Sequence, residues 1–148
     1  MPKYAIDGQD TGTANTTLLG VDAGGTARRV KVYDFILGSD ATPADNAFEV
    51  HLQRYTVDGT ATAVVPLALD PADPAALCEA GEAHSIEPTY TADAVLMNLA
   101  LNQRATFRWV AAPGSELVIP ATSDNGIGVR VIATTSAVNQ NATMLIEE

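Results

Sequence analysis

The stretch that decides the fold of this chain runs from Thr89 to Thr134 and reads TYTADAVLMNLALNQRATFRWVAAPGSELVIPATSDNGIGVRVIAT. Between Val95 and Leu101, large apolar side chains stand at every second position, and this period of two is typical of a half-buried strand. Turn-forming residues follow the apolar runs at Pro113-Gly114 and again at Asn125-Gly126. The stretch shows no helix-length periodicity. It therefore predicts antiparallel strands arranged in a β-sandwich or barrel.

The first half of the chain repeats this pattern. Apolar runs over Thr16–Asp22 and Arg28–Leu37 flank the small residues Ala23–Gly25, so we expect the two runs to pair as a hairpin. A second hairpin turn is expected at Asp58-Gly59. Eight or nine strands joined partly by long connections predict an all-β fold, an antiparallel jelly-roll-like β-sandwich.

One short helix is expected within this series of strands. Asp73 is a good N-cap residue and Pro74 suits the first helical position, so the sequence predicts one or two helical turns over Ala75–Ala80. The polar loop that ends near residue 15 separates two regions. We expect an N-terminal arm or first strand over residues 1–15 and a single β-sandwich domain over residues 16–148.

The composition indicates one domain with an aliphatic core. A chain of 148 residues can bury a sizeable core, and with 47% apolar but only 5% aromatic residues that core must consist of Val, Leu, Ile and Ala. The single cysteine, Cys78, excludes an intrachain disulfide and is expected to be small, buried and unreactive. No signal peptide or membrane-spanning run is evident, so we expect a protein made in a reducing cytoplasm, without a membrane partner.

The charge of the chain bears on its partners. A net charge of −10 disfavours binding to nucleic acid, whose phosphates such a surface would repel. The only basic cluster contains Arg28, Arg29 and Lys31, and it suits either a solvated edge strand or a dock for an acidic partner. Together with Tyr4 and Ile6 of the N-terminal segment, these are the candidate partner-binding residues.

Two short strings imitate active-site motifs. Asp10-Thr11-Gly12 matches the catalytic triplet of aspartic proteases, but it lacks the apolar strand that precedes such a triplet and the length of chain that forms the flap. The string Gly20–Thr26 looks like the first phosphate loop of sugar kinases of the actin-like superfamily. That fold needs two domains and a longer chain. A glycine-rich turn is the simpler interpretation, so we expect no enzymatic activity.

Metal and cofactor sites are not indicated either. Asp70 and Asp73 could bind Ca²⁺ but lack the density and glycine placement of a calcium loop, and helix capping explains them better. His51 and His84 have no neighbours at metal-ligand spacing and are expected to face solvent. We therefore expect no catalytic residue, cofactor or metal ion.

The C-terminal part carries a resemblance. The runs Arg108–Gly114, Val118–Thr122 and Asn125–Gly128 resemble small head-associated proteins of tailed bacteriophages, which are thought to sit on the capsid as decoration or cement proteins. The resemblance implies a jelly-roll domain, a homotrimer, and binding to the major capsid protein on the exterior of the virion after synthesis in the bacterial cytoplasm. We expect the segment Met1–Asn15 and an edge strand to contact the capsid or sister subunits.

A second function class stays open, because jelly rolls also serve as carbohydrate- or receptor-binding modules of phage particles. Such modules stack exposed aromatic rings on sugars. This chain has a single tryptophan, Trp109, which alternates with Phe107 and is expected in the core. A structural role in a virion is therefore the preferred hypothesis.

Overall fold

A computed structural model describes residues 1–148 and contains twelve β-strands and no α-helix. The strands are β1 (Lys3–Gly12), β2 (Thr17–Asp22), β3 (Val30–Ser39), β4 (Ala47–Val57), β5 (Thr60–Val64), β6 (Leu67–Ala68), β7 (Glu79–Ile86), β8 (Thr89–Asn102), β9 (Phe107–Val110), β10 (Leu117–Ile119), β11 (Gly126–Thr134) and β12 (Val138–Glu147). No helix has the length and apolarity that a membrane crossing requires.

The strands form two antiparallel sheets. In sheet A, β9 and β10 both pair with β3, and the order continues through β12, β1 and β6; sheet B has the order β5-β7-β2-β11-β4-β8. If β5, β6 and β7 are set aside and β9 and β10 are counted as one strand, four strands remain in each sheet. The order is then (β9/β10)-β3-β12-β1 facing β2-β11-β4-β8, which is the arrangement of a jelly roll. The prediction of an all-β, antiparallel, jelly-roll-like sandwich is confirmed.

Residues 58–88 are an insertion between β4 and β8 that closes one side of the sandwich. Strands β7 and β5 extend sheet B beyond β2, and β6 extends sheet A beyond β1. The two sheets meet here, because the Gln9 amide donates a hydrogen bond of 2.7 Å to the Glu82 carboxylate. Gly8 makes this approach possible, since a Cβ there would lie 2.9 Å from the Cβ of Glu82.

The opposite side of the sandwich ends in two edge strands. Because β1 meets β7 on the closed side, β8 and β9/β10 lie together on the other. Strands β9 and β10 are two halves of one edge strand along β3, with Trp109 opposite Phe35 and Leu117 opposite Val32. Pro113-Gly114 therefore lies in a loop that interrupts this strand and does not form a hairpin.

The core lies between the sheets and is built by strict alternation. Along β12, buried and half-buried residues alternate over the whole strand. Met144 and Ile146 are fully buried and lie opposite Ile6 and Tyr4 of β1, which are also fully buried. Burying each large aliphatic side chain contributes about 1.5–3 kcal/mol. Of the two alternatives for the N-terminal segment, an arm or a first strand, residues 3–12 form the first strand of the sandwich.

The short helix expected over Ala75–Ala80 is absent, so that prediction is wrong. Strand β7 already begins at Glu79 and pairs with Asp22 of β2. A helix of six residues would have to meet the cost of nucleation with few hydrogen bonds, whereas the strand gains a full ladder and lets Cys78 be buried. The Glu148 carboxylate also accepts hydrogen bonds from the amides of Leu77 and Cys78, at 2.8 and 2.9 Å.

Both expected hairpins are also wrong. Strands β2 and β3 belong to different sheets, and β5 pairs with β7 instead of β4. The loop between β2 and β3 is held by a 2.7 Å hydrogen bond from the Gly24 amide to Asp22 Oδ1, and by one of 3.1 Å from the Arg28 amide to the Ala23 carbonyl. Turn residues therefore mark where the chain reverses, but the first reversal leads to the other sheet and the second to a non-adjacent strand of the same sheet.

Candidate functional site

Two of the predicted partner-binding residues, Tyr4 and Ile6, belong to the core. Ile6 is wholly enclosed. Tyr4 is buried as well, but its hydroxyl donates a hydrogen bond of 3.1 Å to the Pro74 carbonyl at the edge of the sandwich. Tyr4 therefore anchors the loop that follows β6, and only the pocket at that edge gives a partner access to it.

A pocket of about 320 Å³ adjoins Tyr4 at this edge. Its walls combine apolar and charged side chains, and the lining residues are Pro2, Tyr4, Arg28, Pro74, Ala75, Leu77 and Glu148. The structure thus brings together Tyr4 and Arg28, which are separated by 23 intervening residues in the sequence. Leu77 is exposed at the rim, while Glu148 is held by the backbone amides it binds. Such a pocket can accept an apolar side chain next to a group that pairs with a cation.

The three basic residues have different environments. Arg28 and Arg29 lie in the loop before β3 with exposed side chains, and neither forms an ion pair within the chain. Lys31 lies on β3, where its Nζ pairs with Glu147 at 3.0 Å. The free cations of the predicted cluster are therefore Arg28, which lines the pocket, and its neighbour Arg29.

A polar cluster that the sequence did not reveal covers the outer face of sheet B. Two tyrosines lie across the glycines of β11: a Cβ on Gly126 would overlap the ring of Tyr55, and one on Gly128 would overlap the hydroxyl of Tyr90. The two rings are perpendicular, with centroids 6.0 Å apart. Glycine is therefore required at alternate positions of β11, because the ring of each tyrosine occupies the space of a side chain.

Polar groups surround Tyr90. Its hydroxyl lies 2.8 Å from Thr17 Oγ1, and Thr17 also donates a short hydrogen bond to Glu87. The Arg130 guanidinium lies over the ring of Tyr90, 4.9 Å from its centroid, and donates a 3.0 Å hydrogen bond to Asn15. This cation–π contact and the hydrogen bonds tie β2, β8 and β11 together on the outside of the sheet.

Asp22 is the most perturbed carboxyl group of the cluster. Burial raises its pKa to about 6, against the lowering effect of the hydrogen bond from the Gly24 amide. The carboxylates of Asp58 and Glu79 raise the pKa further, and they border the same small cavity of about 110 Å³. Burial likewise raises the pKa of the Tyr55 hydroxyl. Asp22 therefore changes its charge close to neutral pH.

The expectation that both histidines face solvent is wrong for His84. Its side chain is 1% exposed, its ring nitrogens make no hydrogen bond, and Nε2 lies 3.9 Å from Asp58 Oδ1. His51 is half-buried and its Nε2 lies 2.9 Å from Glu49 Oε1. The positive φ of Ala83 marks an irregularity of β7 immediately before His84. No three His, Cys, Asp or Glu side chains converge to hold a metal ion.

The two strings that imitate active-site motifs have local structural roles. Asp10 lies near the end of β1, where its carboxylate accepts a 2.7 Å hydrogen bond from the Thr11 amide. Gly20 pairs with Gly128 inside sheet B. Gly24, with a φ of 67°, packs against the Leu77 carbonyl so closely that a Cβ would overlap it. These contacts give each string a role in the backbone of the sandwich.

The strand order and the burial pattern define the protein as a jelly-roll β-sandwich with an insertion that closes one side. Comparison with models of protein families, with curated proteins and with solved structures finds no match to this chain. The strands themselves therefore establish the fold class.

Proposed function

We propose that this protein is a structural component of a bacteriophage virion, a decoration or cement protein that binds the outside of the capsid and stabilises it. In this proposal it acts as a homotrimer and its partner is the major capsid protein. The observation that supports the proposal most is the jelly-roll strand order, an architecture common among viral capsid domains. The sequence resemblance of residues 108–128 points to the same class of protein.

The pocket beside Tyr4 supplies a contact site for such a partner. Arg28 and Arg29 are free cations on a chain whose net charge is −10. An acidic loop of a shell protein would therefore be attracted mainly to these two arginines. An apolar side chain of that loop would fill the space beside Leu77. Burial of apolar surface contributes about 25 cal/mol per Å² before the ordering of loops is subtracted.

The rest of the surface suits a protein bound in many copies. The chain has 18 acidic and only 8 basic residues, and a strongly negative net charge keeps a protein soluble and prevents non-specific association. Two sheets around an aliphatic core form a rigid body. A rigid body that bridges neighbouring capsid subunits stabilises a shell without any chemical reaction.

Carbohydrate binding is the alternative, and the arrangement of the aromatic residues favours the structural role over it. Tyr55 is buried against Gly126 and Tyr90 is packed between Thr17 and Arg130. Trp109 packs against the core opposite Phe35. Tyr55 and Tyr90 are thus engaged within the chain and Trp109 is half-buried, whereas a sugar-binding platform presents its ring faces to the ligand.

Co-sedimentation with capsids tests the proposal. Capsids of the phage that encodes the protein, purified without it, are mixed with the wild-type chain, and binding is measured together with the temperature at which the shells disrupt. We expect saturable binding and a higher disruption temperature. Arg28→Ala combined with Arg29→Ala should weaken binding roughly tenfold, while the matched control with Lys at both positions retains most of it.

Absence of binding by the wild-type chain would overturn the proposed function. Saturable binding on a glycan array, without binding to capsids, would favour the carbohydrate-binding alternative. Binding that is unaffected by both double variants would keep the capsid function and move the contact away from the pocket.

A further inference from the structure

The open side of the sandwich exposes a line of large apolar side chains, which we term the apolar seam. It consists of Met97, Leu99, Leu101, Phe107, Trp109 and Leu117. All six pack against the core yet are only partly buried. The seam lies between the edge strand of sheet B, β8, and the edge strand of sheet A, β9/β10.

The residues of the seam point inward, so their exposure is a consequence of the open side. Leu99 lies opposite Val50 and Trp109 opposite Phe35, and both partners are buried in the core. Residues that pair across strands share a face of the sheet. On the closed side, the insertion covers the corresponding positions. On the open side no strand does, and the seam remains in contact with water.

The backbone beside the seam is also free. From Met97 to Asn102, β8 pairs in regular register with β4, from Leu52 to Ala47, and its other edge has no strand partner. Natural edges are usually blunted by Lys, Pro or a bulge. The segment from Ala94 to Gln103 contains no charged residue and no proline, and its register with β4 shifts only before Met97. This half of the strand is a ready template for another strand.

The charge distribution indicates which molecule covers the seam. Residues 94–119, which hold β8 from Ala94 onward and all of β9 and β10, contain two arginines and one glutamate, Arg104, Arg108 and Glu116. Their net charge is +1, which the ion pair of Arg108 with Asp34 of β3 reduces to zero, on a chain whose total is −10. Two copies of an acidic protein repel each other over most of their surfaces. At the seam this repulsion is absent, and apolar surface is available.

We propose that a second copy of this chain covers the apolar seam, so that β8 and β9/β10 form the surface through which the copies associate. This inference rests on the proposed function for the role of the oligomer, and it adds the surface that forms it. The contact buries the seam, including Trp109, and brings the uncharged edge of β8 against the neighbouring copy. Capsid binding uses the pocket beside Tyr4, at the closed side.

Self-association and fluorescence of the purified chain test the inference. Because Trp109 is the only tryptophan, its emission reports on the seam alone. We expect sedimentation and light scattering to show oligomers, and the emission to shift to shorter wavelength as oligomers form. Arg104 is exposed in the turn after β8, so Arg104→Glu should raise the dissociation constant roughly tenfold by placing like charges at the seam.

Lys3→Glu is the matched control, because it makes the same change of charge at an exposed position of β1, which pairs with β6 on the closed side, and it should leave self-association unchanged. Leu99→Asp should give a monomer, and circular dichroism shows whether this variant has kept its strands. If it has unfolded, Arg104→Glu alone tests whether the copies associate through the seam. A monomeric wild-type chain at all concentrations would overturn the inference. So would equal effects of Arg104→Glu and Lys3→Glu, or an oligomer in which Trp109 stays as accessible to quenchers as in the monomer.

Measurements of capsid binding distinguish failure of this inference from failure of the proposed function. If Arg104→Glu abolishes self-association and a remaining monomer still binds capsids, both the seam and the capsid function stand. If the wild-type chain associates through the seam but does not bind capsids, the inference stands and the proposed function fails. If Arg104→Glu weakens capsid binding while the free chain is monomeric, a shell protein covers the seam and the inference fails.

Discussion

The hydroxyl of Tyr55 lies 3.4 Å from Oδ2 of Asp22, on the outer face of sheet B. The other carboxylate oxygen of Asp22 accepts a hydrogen bond from the Gly24 amide, 2.7 Å away, and so holds the loop that leads from sheet B to sheet A. Asp22 is thus needed as an acceptor at a site where its negative charge is poorly solvated. The same residue shapes the turn and makes the stability of the fold depend on pH.

The first prediction concerns this pH dependence. Burial raises the pKa of Asp22 from 3.8 to about 6 in the folded protein. The folded state therefore binds more protons than the unfolded state between these values, and the free energy of unfolding falls as pH rises through about 6. We expect urea unfolding of the wild-type chain to show a loss of about 1–2 kcal/mol across this window, after allowance for solvent at the adjoining cavity.

Asp22→Asn is the matching variant. It keeps the Oδ1 acceptor for Gly24 and removes the charge, so it should raise the free energy of unfolding at neutral pH by about 1–2 kcal/mol and flatten the pH profile near 6. Asp40→Asn serves as a control, because Asp40 is exposed and hydrogen bonds from Asn141 and Asn139 lower its pKa. A variant at Asp22 that is less stable than wild type at every pH would contradict the prediction.

The second prediction concerns the glycines under the tyrosines. Gly128→Ala places a methyl group where the Tyr90 hydroxyl lies, so it should lower the free energy of unfolding by about 1–3 kcal/mol. Gly38→Ala, in β3, meets only Thr106 at 3.5 Å and should be neutral or slightly stabilising. Adding Tyr90→Phe to Gly128→Ala should recover part of the loss. Equal stability of the two alanine variants would show that the ring does not occupy this space.

The third prediction concerns two ion pairs of sheet A. Asp34 is 3% exposed and receives two hydrogen bonds from Arg108, at 3.1 and 2.6 Å. Arg108→Ala leaves a buried carboxylate without its partner and should lower the free energy of thermal or urea unfolding more than loss of the Lys31 pair does. Lys31→Ala removes a half-exposed pair with Glu147 and should cost less than about 1 kcal/mol. A larger effect at Lys31 would reverse this ranking.

The fourth prediction concerns Cys78. The residue is buried, and burial raises the pKa of its thiol far above the ordinary value, so the thiolate is scarce and inaccessible. A thiol reagent should modify Cys78 only in denaturant. Leu77→Cys combined with Cys78→Ala moves the thiol to the exposed neighbouring position and should react at once in the native protein. Fast labelling of the native wild-type chain would contradict the burial of Cys78.

Alternation of apolar residues was a reliable guide where a strand has one buried face. In β12 the alternating apolar residues Ala142, Met144 and Ile146 are all buried. The same pattern could not identify which strands pair, because a period of two specifies a face and contains no information about the neighbour. The expected hairpin of β2 and β3 failed for this reason.

The candidate sites were harder to predict than the fold. Arg28 and Tyr4 were chosen separately from the sequence, and only the packing of Pro2, Pro74 and Glu148 places them on one pocket. The polar cluster of sheet B was not predicted from the sequence. One signal was present, namely glycine at both Gly126 and Gly128 of a strand, which indicates that something occupies the space above the sheet.

The sequence by itself determined the secondary structure class, the aliphatic core, the acidic surface and the positions where the chain turns, because these follow from local side-chain chemistry. The tertiary structure decided the jelly-roll order, the burial of His84 and Tyr4, and the contrast between a closed and an open side. The physical reason is that these features depend on contacts between residues far apart in the chain. The Glu82 carboxylate that joins β7 to β1 is one such contact, and its partner is the amide of Gln9.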